Sequence, residues 1–125
     1  KENTLKHGSV NILLAEDNKV NQLIMMKMFK KNGVGVEIAE NGKAVLEKLG
    51  KDDFDIILMD VQMPVLDGYE TTRKIRDKNI EIPIIALTAN ALKGDREKCI
   101  ECGMNDYIAK PVSYQKIVEI IDKYI

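Results

Sequence analysis

Asp60 is the first residue in this chain that invites a chemical reading. It closes the run Phe54, Asp55, Ile56, Ile57, Leu58, Met59, Asp60, and Val61, Gln62, Met63, Pro64 and the pair Asp67-Gly68 follow it. Successive apolar residues bounded by an acid and a Pro/Gly loop suit a parallel strand covered on both faces. In open α/β sheets chemistry sits at the carboxyl ends of strands, which makes Asp60 a candidate reacting group. Three further strand ends carry polar residues: Glu16-Asp17 after 10–15, Thr88 after 84–87, and Lys110-Pro111 after 106–109. Three carboxylates at one rim would push a proton back onto one of them unless a divalent cation sat among them. A donor set of oxygen alone favours Mg²⁺, with Mn²⁺ as the alternative, because both are hard ions that retain water. Lys110 and Thr88 would then offer donors to an anion. A cation, the Asp60 oxygen and two donors together describe in-line phosphoryl transfer to an aspartate.

The elements that must deliver these residues alternate. A strand over 10–15 precedes Asp17 or Asn18 as helix cap, and a helix over 19–31 places Val20, Leu23, Ile24 and Met28 on its inner face before Asn32-Gly33 stop it. A strand over 34–39 follows, then a helix opened by Asn41-Gly42 that carries Val45, Leu46 and Leu49 and closes at Gly50. After the Asp60 strand, Asp67-Gly68 read as a turn and helix start, and that helix runs through Tyr69, Thr72 and Ile75 to about Asp77. The strand 84–88 ends in Thr88. A helix over 92–102 has few apolar positions (Leu92, Cys99, Ile100) and is expected to be loosely held. The strand 106–109 precedes Lys110, and Ser113 caps a last helix with Ile117, Ile120, Ile121, Tyr124 and Ile125 at helical spacing. Five strands alternating with five helices imply an α/β, doubly wound parallel sheet.

The totals bound what else the chain could be. Its 125 residues, 45% hydrophobic and 31% charged, suit one domain with a real core. A formal net charge of −1 and the lack of a basic run argue against direct binding of nucleic acid. No apolar stretch is long enough to span a bilayer, so no membrane contact is expected and a cytoplasmic location is, although the parent protein could be anchored. Residues 1–9 read as a linker or disordered terminus and 10–125 as the domain. His7 in that linker lacks the hydrophobic stripe of a phosphotransfer helix. Cys99 and Cys102 form a CxxC, but with no second pair and late in a helix they read as packing rather than redox or zinc chemistry.

Over almost its full length from Val10 to Ile125 the sequence resembles a CheY-like response-regulator receiver domain. The acidic pair falls on Glu16 and Asp17, the phospho-acceptor on Asp60, the switch hydroxyl on Thr88 and the lysine on Lys110. The resemblance implies a flavodoxin-like (βα)5 sheet in strand order 2-1-3-4-5. It implies Mg²⁺ held directly by Asp17, Asp60 and the backbone carbonyl of Gln62, with Glu16 acting through water. It also implies a cis Lys110-Pro111 bond, a switch aromatic at Tyr107, and tuning of hydrolysis at Gln62 and Asn90. The stretches Ala15-Glu16-Asp17-Asn18, Met59-Asp60-Val61-Gln62-Met63-Pro64 and Gly103-Met104-Asn105-Asp106-Tyr107 are most similar to receivers of hybrid sensor histidine kinases.

The function that follows is that of a phospho-accepting receiver in a two-component phosphorelay. Asp60 would take a phosphoryl group from a phosphohistidine on a histidine kinase or histidine-phosphotransfer domain, and Thr88 and Tyr107 would repack the face made by the fourth helix, fifth strand and last helix. Alone, the domain would catalyse only its own phosphorylation and dephosphorylation, and phosphorylation-dependent dimerisation is compatible with this reading. The polar start and the end at the last helix suggest a receiver excised from a hybrid kinase; the alternative is a stand-alone shuttle regulator. An aspartyl-nucleophile phosphatase would need a second Asp where Gln62 stands, and a flavodoxin-like FMN carrier would need phosphate donors where Glu16-Asp17-Asn18 would repel.

Overall fold

The computed structural model describes residues 10–61, 63, 67–89 and 93–125. Among the described residues ten elements alternate: β1 (Ile12–Ala15), α1 (Lys19–Lys31), β2 (Val36–Ala39), α2 (Gly42–Leu49), β3 (Ile56–Asp60), α3 (Gly68–Asp77), β4 (Ile84–Thr88), α4 (Lys93–Cys102), β5 (Asp106–Ala109) and α5 (Tyr114–Tyr124). The strands are all parallel and ordered β2-β1-β3-β4-β5, the expected arrangement. The expectations for residues 1–9 with His7, and for Gln62, Pro64, Asn90 and Leu92, lie outside the described residues.

Local chemistry sets the helix starts. Asn18, Asn41, Asp67 and Ser113 each hold an extended conformation and accept from the amide three residues on, satisfying a donor that the first turn leaves free. At the other end of α1, Gly33 has φ +71, the left-handed conformation in which a glycine ends a helix at no steric cost.

Strand alternation sorts the core into two layers. Ile12, Leu14, Ile56, Leu58, Ile85, Leu87 and Ile108 pack with Met25 and Phe29 of α1 and with Ile117, Val118 and Ile121 of α5. Leu13, Ile57, Met59, Ile84 and Ala86 pack with Val45 of α2, Ile75 of α3, and Cys99 and Cys102 of α4. Both faces of β1, β3 and β4 are therefore buried, which is why these strands read as unbroken apolar runs.

The expected inner face of α1 is corrected. Val20, Leu23 and Ile24 are exposed, while Gln22, Met25 and Phe29 are buried and Met28 sits at the margin. The helix carries apolar residues on two faces at valid helical spacing, and the wider contact made by Phe29, edge-on to Tyr114 at 6.1 Å, selects between them. In α4, Ile100 is exposed and Cys102 takes an inner position; in α5, Tyr114 and Val118 are buried, and Ile125, which the sequence placed on the helix, lies just past its end and is exposed.

Far from the acidic rim, the half-buried Arg76 of α3 clamps two loops. Its guanidinium donates to the carbonyls of Gly103 (2.9 Å), Ile80 and Ile82 (both 2.8 Å) and to Asn105 Oδ1 (2.9 Å). Asn105 Oδ1 also accepts from the Ile84 amide, and the Asn105 amide donates to the Ile84 carbonyl, which fixes the start of β4 beside β5.

Candidate functional site

Register brings the strand ends together. Ala15 pairs with Met59, Asp60 with Leu87, and Thr88 with Ala109, so Glu16, Asp60, Thr88 and Lys110 all emerge within one residue of a paired position on neighbouring strands. Beyond the ladder, the Val61 amide donates to the Leu87 carbonyl and the Lys110 amide to the Thr88 carbonyl (2.8 Å).

Glu16, Asp17 and Asp60 each offer a carboxylate oxygen, and these oxygens lie within 4.8 Å of one another. Glu16 and Asp60 are buried and Asp17 is exposed. Lys110 Nζ stands 3.3 Å from Asp60 Oδ2 and 3.9 Å from Glu16 Oε1, so one cation faces two buried acids. Burial pushes the Glu16 carboxyl above its ordinary range, with the nearby Asp60 adding to the rise and the Asn18 amide and Lys110 opposing it. Two buried carboxylates and a third at the surface, all oxygen, suit a hard divalent cation that keeps some of its water. The set lacks the His nitrogen and Cys sulfur that typical zinc sites include.

Thr88 is buried at the end of β4, and the Lys110-Pro111 peptide is cis, as expected. Tyr107 is half-buried and packs against the core layer shared with α2, α3 and α4. By strand alternation Thr88 belongs to that same side of the sheet. The two expected switch residues thus share a side, while Glu16, Asp60 and Lys110 follow the alternation of the opposite one.

Sequence reasoning missed two supports of the site. Gln22 reaches from α1 to the Glu16 carbonyl, 2.6 Å from its Nε2. Gly68, read as part of a turn and helix start, does begin α3, but it also lies against the backbone of the acid: a Cβ there would stand 2.6 Å from the Asp60 carbonyl oxygen and 2.8 Å from Val61 Cα. Its amide donates to the Val61 carbonyl at 3.1 Å. A glycine directly after a capping aspartate was the available signal.

Cys99 and Cys102 are buried free thiols; the Cys102 thiol donates to the Cys99 carbonyl at 3.2 Å, and burial pushes its pKa up. Such a thiol is poorly disposed to react. Beside the acid cluster, a cleft of about 430 Å³ runs between α1 and the segment after β5, with Ile24, Met25, Pro111 and Val112 among its walls together with Glu16 and Lys110.

Comparison with known proteins agrees with this geometry. Residues 12–122 match the response regulator receiver domain family. The chain is 41% identical over 91% of its length to hybrid signal transduction histidine kinase I of Dictyostelium discoideum, and spans 7% of that protein. Among solved structures it is similar to the receiver domain of the sensor histidine kinase PA1611 from Pseudomonas aeruginosa, which has a magnesium ion in its active-site cleft: 44% identity, TM-score 0.84, covering 94% of this chain and 98% of that one. It is also similar to the receiver domain of Saccharomyces cerevisiae Ssk1, solved in complex with the histidine phosphotransfer protein Ypd1: 30% identity, TM-score 0.86, covering 93% and 88%. The chain belongs to the response regulator receiver domain family. Its sheet order, helix arrangement and acidic strand ends are those of a CheY-like receiver in a two-component phosphorelay.

Proposed function

We propose that Asp60 is the phospho-acceptor of this receiver. The observation that carries this is the meeting of Asp60 with Lys110 at 3.3 Å inside a cluster of three carboxylates at the strand ends. Asp17, Asp60 and the Gln62 carbonyl would hold Mg²⁺, or Mn²⁺ in its place, with Glu16 acting through water; when bound, the cation neutralises charge on the transferring phosphoryl oxygens. An Asp60 oxygen attacks the phosphorus of a phosphohistidine. The P–N bond breaks with its electron pair left on the imidazole, and an acyl phosphate forms. Lys110, already aimed at Asp60, offsets charge on the same oxygens.

The Thr88 hydroxyl then holds a phosphoryl oxygen, and Tyr107, on the same side of the sheet, turns inward and shifts the α4-β5-α5 face between two existing states. Gln62 and Asn90, to which the family resemblance gives that role, tune hydrolysis.

The donor docks on α1. Val20, Leu23 and Ile24 are more than half exposed there, and Ile24 also lines the cleft that leads to Lys110. A partner helix bearing a phosphohistidine could cover these residues and present its imidazole to Asp60. The complex of the similar yeast receiver with a histidine phosphotransfer protein supports a partner of that kind. The parent protein is, on this reading, a hybrid histidine kinase.

The test is incubation with acetyl phosphate and Mg²⁺, read by intact mass. Wild type should gain one phosphoryl group, which EDTA and Asp60→Asn both prevent. A fully labelled Asp60→Asn protein would remove Asp60 from this role.

A further inference from the structure

Gln22 is a polar residue buried in the seam between α1 and the sheet, 8% exposed, and the chemistry proposed above makes no use of it. Its side-chain nitrogen stands 2.6 Å from the Glu16 carbonyl oxygen. A carbonyl oxygen only accepts, so the amide NH₂ must be the group that faces it.

Other contacts hold Glu16 as well, among them the Lys110 ammonium 3.9 Å from its carboxylate. The Glu16 amide donates to the Ala39 carbonyl at 3.0 Å, and its carboxylate accepts from the Asn18 amide at 3.2 Å. Glu16 lies one residue past the end of β1, where strand pairing has stopped. The carbonyl that Gln22 holds belongs to the peptide between Glu16 and Asp17, the peptide that joins the two residues bearing these carboxylates.

We propose that Gln22 is a positioning residue for the acid cluster: by holding the Glu16 carbonyl it sets where the Glu16 and Asp17 carboxylates stand to receive a divalent cation. The inference rests on reading that cluster as the Mg²⁺ site. In metal sites generally, loss of a partner that orients a ligand weakens metal binding about 10- to 100-fold. The plain alternative is that Gln22 only fills the seam, as its buried neighbour on the same helix, Met25, does.

Mg²⁺ titration of the whole chain, followed by amide NMR, separates the two. Gln22→Leu keeps the volume and removes the donor; Gln22→Met is a second version should the first fold poorly; Met25→Ala weakens the same seam but leaves the Gln22 donor to the Glu16 carbonyl in place. Both Gln22 variants should bind Mg²⁺ about 10- to 100-fold more weakly than wild type. In EDTA, with no metal present, their Glu16 carbonyl carbon should shift and their Asn18 amide should exchange faster. Met25→Ala should lower Tm yet bind Mg²⁺ within about twofold of wild type. A wild-type-like Mg²⁺ affinity in the Gln22 variants, or an equal loss in Met25→Ala, overturns the proposal while the metal site stands. Failure of wild type itself to bind Mg²⁺ overturns the reading of the cluster, and this inference with it.

Discussion

Gly68 lies so close to Asp60 that no side chain fits between them: a Cβ on Gly68 would meet the Asp60 carbonyl oxygen at 2.6 Å, and what it meets is backbone. Helix α3 thereby begins in contact with the peptide that carries the candidate phospho-acceptor. Gly68→Ala must move either α3 or the Asp60-Val61 peptide. Overpacking of this kind costs about 1–3 kcal/mol. Urea unfolding should show that loss, and phosphorylation by acetyl phosphate should slow beside it. An alanine variant with wild-type stability would mean that α3 can slide away freely.

The buried Glu16 makes the metal-free protein sensitive to pH. Its carboxyl is raised above the ordinary value of 4.5, burial being the largest cause, so the folded chain holds this proton more tightly than the unfolded chain does. Stability from this group is full below about pH 4.5 and is lost as pH rises through the folded value. In EDTA, Glu16→Gln should therefore be more stable than wild type at pH 7, with the difference closing toward pH 4. Urea unfolding at the two pH values decides it; an equal difference at both would show that the Glu16 carboxyl does not titrate in this way.

Arg76 donates to three backbone carbonyls and to Asn105, in a planar fork that lysine cannot reproduce. Arg76→Lys should leave some of these acceptors without a donor, at about 1–3 kcal/mol for each one left buried. The clamp lies away from the acid cluster, so Mg²⁺ affinity should stay unchanged while the unfolding midpoint falls. Loss of Mg²⁺ binding in a folded Arg76→Lys chain would contradict that separation.

Ile24 is 55% exposed on α1 and borders the cleft beside Lys110. Ile24→Asp should cost the fold little, because the side chain already meets water. Phosphotransfer from a histidine-phosphotransfer protein should drop about tenfold or more, in line with the loss of a central apolar contact. Phosphorylation by acetyl phosphate, which needs no docking, should remain at the wild-type rate. Equal loss with both donors would move the docking surface elsewhere.

Much of the fold was legible because its signals are local. The runs that form β3 and β4, and the caps at Asn18, Asp67 and Ser113, each lie within a few residues of what they control. The acidic pair, Asp60, Thr88 and Lys110 could be found in the same way, since each closes a recognisable strand and a parallel sheet aligns strand ends. The inner face of α1 could not be read so, because Val20, Leu23 and Ile24 have as good a helical spacing as Met25 and Phe29.

What the amino-acid order determined by itself was therefore the alternation of elements and the residue type at each strand end, both products of short-range sterics and periodicity. Only the tertiary structure decided which side of α1 meets the sheet, that Gln22 grips Glu16, that Gly68 abuts Asp60, and that Arg76 spans to Gly103. These depend on how whole elements sit against one another, at separations or orientations that no local pattern encodes, and packing settles them only once the sheet is assembled.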